Sequence, residues 1–115
     1  MLFIRNITFM TNDPPRLADF WAPALGLSER RDDATETIVA DAEWTYPRLT
    51  FQKVKDTSTR PRQLHLDLTA DDRRAEVERL CTLGGREGRS VATDDGWTWT
   101  VMSDPDGNEF CVTDP

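Results

Sequence analysis

The chain has 115 residues (13.1 kDa), 21 acidic against 14 basic side chains, a net charge of −7 and an isoelectric point near 4.6. One domain of that length buries a core without disulfide or metal staples. The acidic balance excludes nucleic acid and an anionic membrane surface as partners, since both select clustered Lys and Arg.

Residues 2–10 read as a strand that runs into a helix. Asp13 is placed to cap the helix, and Pro14 and Pro15 suit a first turn that needs no backbone donor. Leu17, Phe20, Trp21 and Leu25 form its apolar stripe, with Trp21 as core; Pro23 kinks or ends the helix, and Gly26 lies beyond. Short strands follow at 27–32, 36–41 and 48–54, separated by Asp32-Asp33 and by a loop at 44–47 whose Trp44 either closes one end of a groove or packs locally. The segment 55–63, KDTSTRPRQ, is polar and aperiodic and reads as a linker.

The pattern then restarts. Residues 63–69 alternate, with Leu64, Leu66 and Leu68 on one face and His65, Asp67 and Thr69 on the other. Thr69 or Asp71 is expected to cap a second helix with Ala75, Val77, Leu80 and Leu83 facing inward, stopped by Gly84-Gly85 as left-handed caps. GGREGR at 84–89 follows a helix instead of opening one, so it reads as cap and turn and not as a phosphate cradle. Three strands complete the half at 87–92, 97–103 and 108–113, the last two joined by the turn DPDGN at 104–108. Trp97 and Trp99 share one face of their strand and form either an aromatic wall for a planar ligand or a cover for the helix or a subunit interface.

The two halves repeat at an offset of 59 residues, which pairs Asn6 with His65, Phe9 with Leu68, Asp13 with Asp72, Trp21 with Leu80, Gly26 with Gly85, Phe51 with Phe110 and Gln52 with Cys111. Two copies of βαβββ, an α+β arrangement, account for the chain as one domain over 1–115, with modules 1–56 and 63–115 joined by the linker 55–63. In each module the helix covers one sheet face. The other face carries Asn6, Thr8 and Met10, then Thr50, Gln52 and Val54, then His65 and Asp67, then Glu109, Cys111 and Thr113. If the sheets curve toward each other, these residues line a groove.

Arg60, Arg62, Arg73, Arg74, Arg86 and Arg89 are interrupted by acids and read as a solvated mixed surface. The opening MLFIRNITFMTND has no leader pattern and no stretch approaches a membrane span, so a cytoplasmic protein is expected. Cys81 and Cys111, without CxxC spacing, read as free thiols.

NITFMTNDPPRLADFW, HLDLTADDRRAEVERLCTLGG and DPDGNEFCV resemble the two openings and the closing hairpin of the vicinal oxygen chelate superfamily, which includes glyoxalase I, bleomycin-resistance proteins and extradiol dioxygenases. The ending is most similar to that of small bacterial glyoxalase-like proteins. The resemblance spans essentially the whole chain. It implies a curved mixed β-sheet groove with helices outside, frequent pairing into homodimers, and a divalent metal held by one side chain from the first and one from the last strand of each module. By position those slots fall at Asn6, Gln52, His65 and Cys111, which departs from the family's His, Gln and Glu. Glu109 lies two residues back on the same strand face as Cys111.

Two functions follow. The first is a binding protein that holds a small organic, partly aromatic molecule in the groove through Asn6, Thr8, Gln52, Asp67, Trp97, Trp99 and Cys111, with His65 a neutral hydrogen-bonding group and Cys111 a small buried hydrophobe. The alternative is a metal-dependent lyase, isomerase or dioxygenase with His65, Gln52 and Glu109 as ligands, and with His65 and Glu109 as the acid–base pair. A third possibility is an interaction domain whose groove is filled by its own side chains.

Overall fold

The structure, a computed structural model, describes residues 6–55 and 66–115. Leu64, His65 and linker residues 56–63 lie outside the described residues. The chain divides into two compact units, residues 1–60 and 61–115.

In the first unit β1 (Asn6–Thr11) leads into α1 (Pro14–Leu25), and β2 (Glu29–Asp32), β3 (Glu36–Ala40) and β4 (Arg48–Lys53) follow. The sheet order is β1-β4-β3-β2, with β1 and β4 parallel and the other pairs antiparallel. Asp13 caps α1 by accepting from the Arg16 amide, and Gly26 closes it at φ 67°. Pro23 stays inside the last turn, so the helix ends only two residues after it. Trp21, Phe20 and Leu17 of α1 are fully buried against the sheet. Phe9 stacks on Trp21 at 5.5 Å and on Phe51 at 5.4 Å, while Phe20 meets Trp21 edge-on. Burying each such ring stabilises the unit by about 1.5–3 kcal/mol before entropy is counted.

The second unit repeats the order: β5 (Leu66–Thr69), α2 (Arg73–Thr82), β6 (Arg86–Ala92), β7 (Thr98–Ser103) and β8 (Glu109–Thr113), with sheet order β5-β8-β7-β6. Again the first and last strands are parallel. The fold is therefore an α+β tandem of two βαβββ modules, each a four-stranded mixed sheet with one helix. Val77 and Leu80 of α2 are buried in a core with Met102, Phe110 and Val112. Polar contacts supplement this smaller core. Arg73 binds Asp114 at 2.9 Å and Thr100 at 2.7 Å, and Arg74 forks onto Glu87 at 2.7 and 2.9 Å.

Several local expectations are corrected here. The cap of α2 is Asp72, which accepts from the Ala75 amide, and not Thr69 or Asp71. Ala75 is exposed, because it lies two residues before Val77 and so about 200° around the helix from it. Of the Gly84-Gly85 pair only Gly84 has positive φ, and Leu83 is the C-cap. Residues 86–89 belong to strand β6 and not to a turn.

The two modules also differ in register. Phe9 pairs with Phe51, whereas its counterpart Leu68 pairs with Val112, and Leu66 takes Phe110. Met10 faces Gln52, and its counterpart Thr69 faces Thr113. The spatial equivalent of Gln52 in the second module is therefore Thr113, and Cys111 corresponds to Thr50.

Candidate functional site

Of the side chains expected on the open faces, Asn6, Thr8, Met10, Thr50, Gln52, Asp67, Glu109, Cys111 and Thr113 are described and lie there. In the first module Asn6, Thr8 and Met10 pair with Arg48, Thr50 and Gln52 on the face turned away from α1. Thr50 is 5% exposed and its hydroxyl has no hydrogen-bond partner among the described residues. Arg48 donates twice to the Trp44 carbonyl, at 2.7 and 3.1 Å, and lies over the rings of Trp44 and Tyr46. Arg31 lies over the Trp44 ring as well, at 5.0 Å. Trp44 therefore packs within its own module, between cations that the sequence did not associate with it.

In the second module the open face forms a concavity of about 550 Å³ lined by Asp67, Thr69, Arg89, Trp97, Trp99, Val101, Glu109, Cys111 and Thr113. The positions on β5, β7 and β8 follow from pairing. Asp67 faces Cys111, which faces Val101; Thr69 faces Thr113, which faces Trp99; Glu109 faces Ser103. The rings of Trp97 and Trp99 are 5.6 Å apart and tilted by 43°. Trp97 is anchored by its indole N–H, which donates to the Asp114 carbonyl at 3.1 Å. Both tryptophans thus face the concavity and not α2.

The hairpin DPDGN holds the β7–β8 end of this face. Asp104 is fully buried and accepts from the amides of Asp106 and Asn108 and from the Asn108 side chain, and Gly107 supplies the positive φ of the turn. Burial pushes the Cys111 thiol up from its ordinary 9.0, with Asp67 and Glu109 adding to the shift and Arg89 opposing it. The thiol stays protonated at neutral pH, which makes it a poor nucleophile.

Arg89, with Val101, is a lining residue that sequence reasoning misses. The signal was an isolated glycine in a strand segment, Gly88, a mark of a bulge. A Cβ on Gly88 would stand 2.8 Å from the Val101 carbonyl oxygen, so the close approach of β6 and β7 needs glycine there.

Of the sequence-predicted residues, Asp67, Trp97, Trp99, Glu109 and Cys111 come together in this concavity. Asn6, Thr8 and Gln52 share the open face of the other module, and His65 lies outside the described residues. Among the described residues no three His, Cys, Asp or Glu side chains converge on a point that holds a metal ion. With Thr113 in the spatial slot equivalent to Gln52 and no such trio of donors, the described residues do not fit the superfamily's metal.

Comparison with known proteins places the fold. The glyoxalase-like domain family matches residues 6–113, and the chain belongs to that family. Solved structures agree with the vicinal oxygen chelate superfamily that the sequence resembles. A glyoxalase-related enzyme from Fulvimarina pelagi is 18% identical, with a TM-score of 0.76 over 100% of this chain and 89% of that one. A glyoxalase/bleomycin resistance protein/dioxygenase family enzyme from Burkholderia phytofirmans is 13% identical, with a TM-score of 0.72 over 95% of both chains. A lactoylglutathione lyase from Agrobacterium tumefaciens is 18% identical, with a TM-score of 0.62 over 97% of this chain and 92% of that one. At these identities the likeness is one of fold. Comparison with curated proteins finds no match. Among the described residues no helix is long and apolar enough to cross a membrane.

Proposed function

We propose that the protein binds a small organic molecule with a flat apolar part, held against Trp97 and Trp99 on the open face of the second module. The observation that carries this reading is the tilted tryptophan pair inside a concavity of about 550 Å³ that also holds an arginine and two carboxylates. That volume lies within the range of sites for drug-sized molecules, which combine apolar walls with a few polar groups that fix orientation. Ring contacts of this kind contribute about 0.5–1.5 kcal/mol beyond the area they bury.

The test is a titration against a panel of aromatic metabolites and antibiotics, followed by tryptophan fluorescence and thermal shift, with Trp99→Ala and His65→Ala beside the native chain. Saturable binding lost in Trp99→Ala is expected. A panel without a single binder would remove the reading. The catalytic alternative, with His65 and Glu109 exchanging protons with a substrate, is favoured by the position of Glu109 in the same concavity. It predicts turnover abolished in Glu109→Gln while binding persists.

A further inference from the structure

The charges around the concavity are sorted by sign, and one irregularity of the backbone sorts them. β6 and β7 pair Glu87 with Met102 and Ser90 with Thr100, so Gly88 and Arg89 together oppose the single residue Val101. Glu87 and Ser90 both lie on the helix side. Glu87 binds Arg74 of α2, and the Ser90 hydroxyl is bonded to Thr100, which Arg73 of α2 also reaches. In regular alternation two residues three apart point to opposite faces. The bulge absorbs that mismatch and leaves Arg89 on the open face, among the residues of the concavity.

One row across the sheet therefore reads Arg89 on β6, Val101 on β7, Cys111 on β8 and Asp67 on β5. Glu109 is the next residue on the same face of β8. The row is cationic at one end and anionic at the other, with a valine and a neutral thiol between. Three strand spacings separate its ends, about 14 Å between backbones. Trp99 and Thr113 form the adjacent row. Arg73, Arg74 and Arg79 of α2 are each matched to a carboxylate, whereas Arg89 and Glu109 form no ion pair among the described residues.

We propose that the concavity selects a zwitterion: a molecule whose carboxylate meets Arg89, whose ammonium group lies by Asp67 and Glu109, and whose flat part rests over Val101 and Cys111 against Trp99. The proposal rests on the binding function above and specifies its ligand class. A ligand with only negative charge meets two carboxylates, and one with only positive charge leaves Arg89 unmatched and desolvated. A dipolar ligand satisfies both ends at once.

The test uses 15N-labelled full-length protein and the indole N–H signals of Trp97 and Trp99, assigned with Trp97→Phe and Trp99→Phe. The probes share one ring: 4-(aminomethyl)benzoate, 4-methylbenzoate, benzylamine and benzyl alcohol. The zwitterion is expected to shift the Trp99 signal with an affinity at least about tenfold above either singly charged probe, equivalent to about 1.4 kcal/mol. Arg89→Gln should reduce it to the level of benzylamine, and the Asp67→Asn, Glu109→Gln double variant to that of 4-methylbenzoate. A singly charged probe binding as tightly as the zwitterion, or a preference that survives Arg89→Gln, overturns the proposal while the aromatic site stands. If no probe, benzyl alcohol included, moves either signal, the binding function falls together with the proposal.

Discussion

The carbonyl oxygen of Val101 occupies the space that a side chain on residue 88 would need, so the bulge that aims Arg89 depends on Gly88 having none. Gly88→Ala must push β6 away from β7, an overpacking strain worth about 1–3 kcal/mol. Urea unfolding is expected to show that loss, and ligand titration a weaker response as Arg89 moves with the strand. Unchanged stability would mean that the two strands separate without cost.

Asp13 and Asp72 do the same work in the two modules, each accepting an amide hydrogen from the first turn of its helix. Asp13→Ala and Asp72→Ala should each cost about 0.5–2 kcal/mol. Asp71→Ala, one residue away from the second cap, should stay within about 0.5 kcal/mol of the native chain. Equal losses at Asp71 and Asp72, read from denaturation midpoints, would place the cap elsewhere.

Asp104 holds the β7–β8 hairpin through three accepted hydrogen bonds while buried to zero exposure. Asp104→Ala leaves those donors without their acceptor, and the expected loss is about 2 kcal/mol or more. Because Glu109 and Cys111 follow directly on β8, hydrogen exchange should accelerate along that strand before it does so in β1.

The cysteines offer a chemical check on the floor of the concavity. Cys81 is exposed and Cys111 buried, and both are free. A thiol reagent at pH 8 should label one cysteine quickly and the second only on unfolding. Burial first, then the neighbouring carboxylates, raise the folded-state pKa of Cys111 above its ordinary 9.0. The stability linked to this group is therefore complete below that value and is lost as pH climbs through the alkaline range above it. The unfolding midpoint should fall above pH 9, and fall less in Cys111→Ala.

Metal titration separates the binding function from its metal-dependent rival. Calorimetry of the stripped protein with nickel, cobalt, zinc, manganese and iron is expected to give no stoichiometric site. Tight one-to-one binding that disappears in His65→Ala would transfer the assignment to the metalloenzyme.

The tandem modules were legible because each half carries its own apolar face, and the offset of 59 even pairs the two capping aspartates. Local cap chemistry was less discriminating. Thr69, Asp71 and Asp72 are all good acceptors, and only the phase of Val77 and Leu80 against the sheet selects Asp72. The face of Trp97 and Trp99 was ambiguous because β7 alternates Trp99 and Val101 with Thr100 and Met102, so both of its faces are part apolar. Arg89 was hidden by the bulge, which breaks the parity on which face assignment depends. The slot opposite β5 was displaced by one rung because pairing register is set in three dimensions and leaves no mark in sequence spacing.

One end strand of each sheet bears on how the molecule behaves in a crowd. β2 ends the first sheet with the sequence Glu29-Arg30-Arg31-Asp32, a charge on every residue, and β6 ends the second with a bulge at Gly88 and Arg89 that follows Glu87. Unpaired strand edges otherwise template the addition of further chains, and charge and irregular pleating both obstruct that addition. The bulge that orients a binding residue therefore also guards against aggregation, so repairing it for regularity would expose a smooth edge as well as misdirect Arg89.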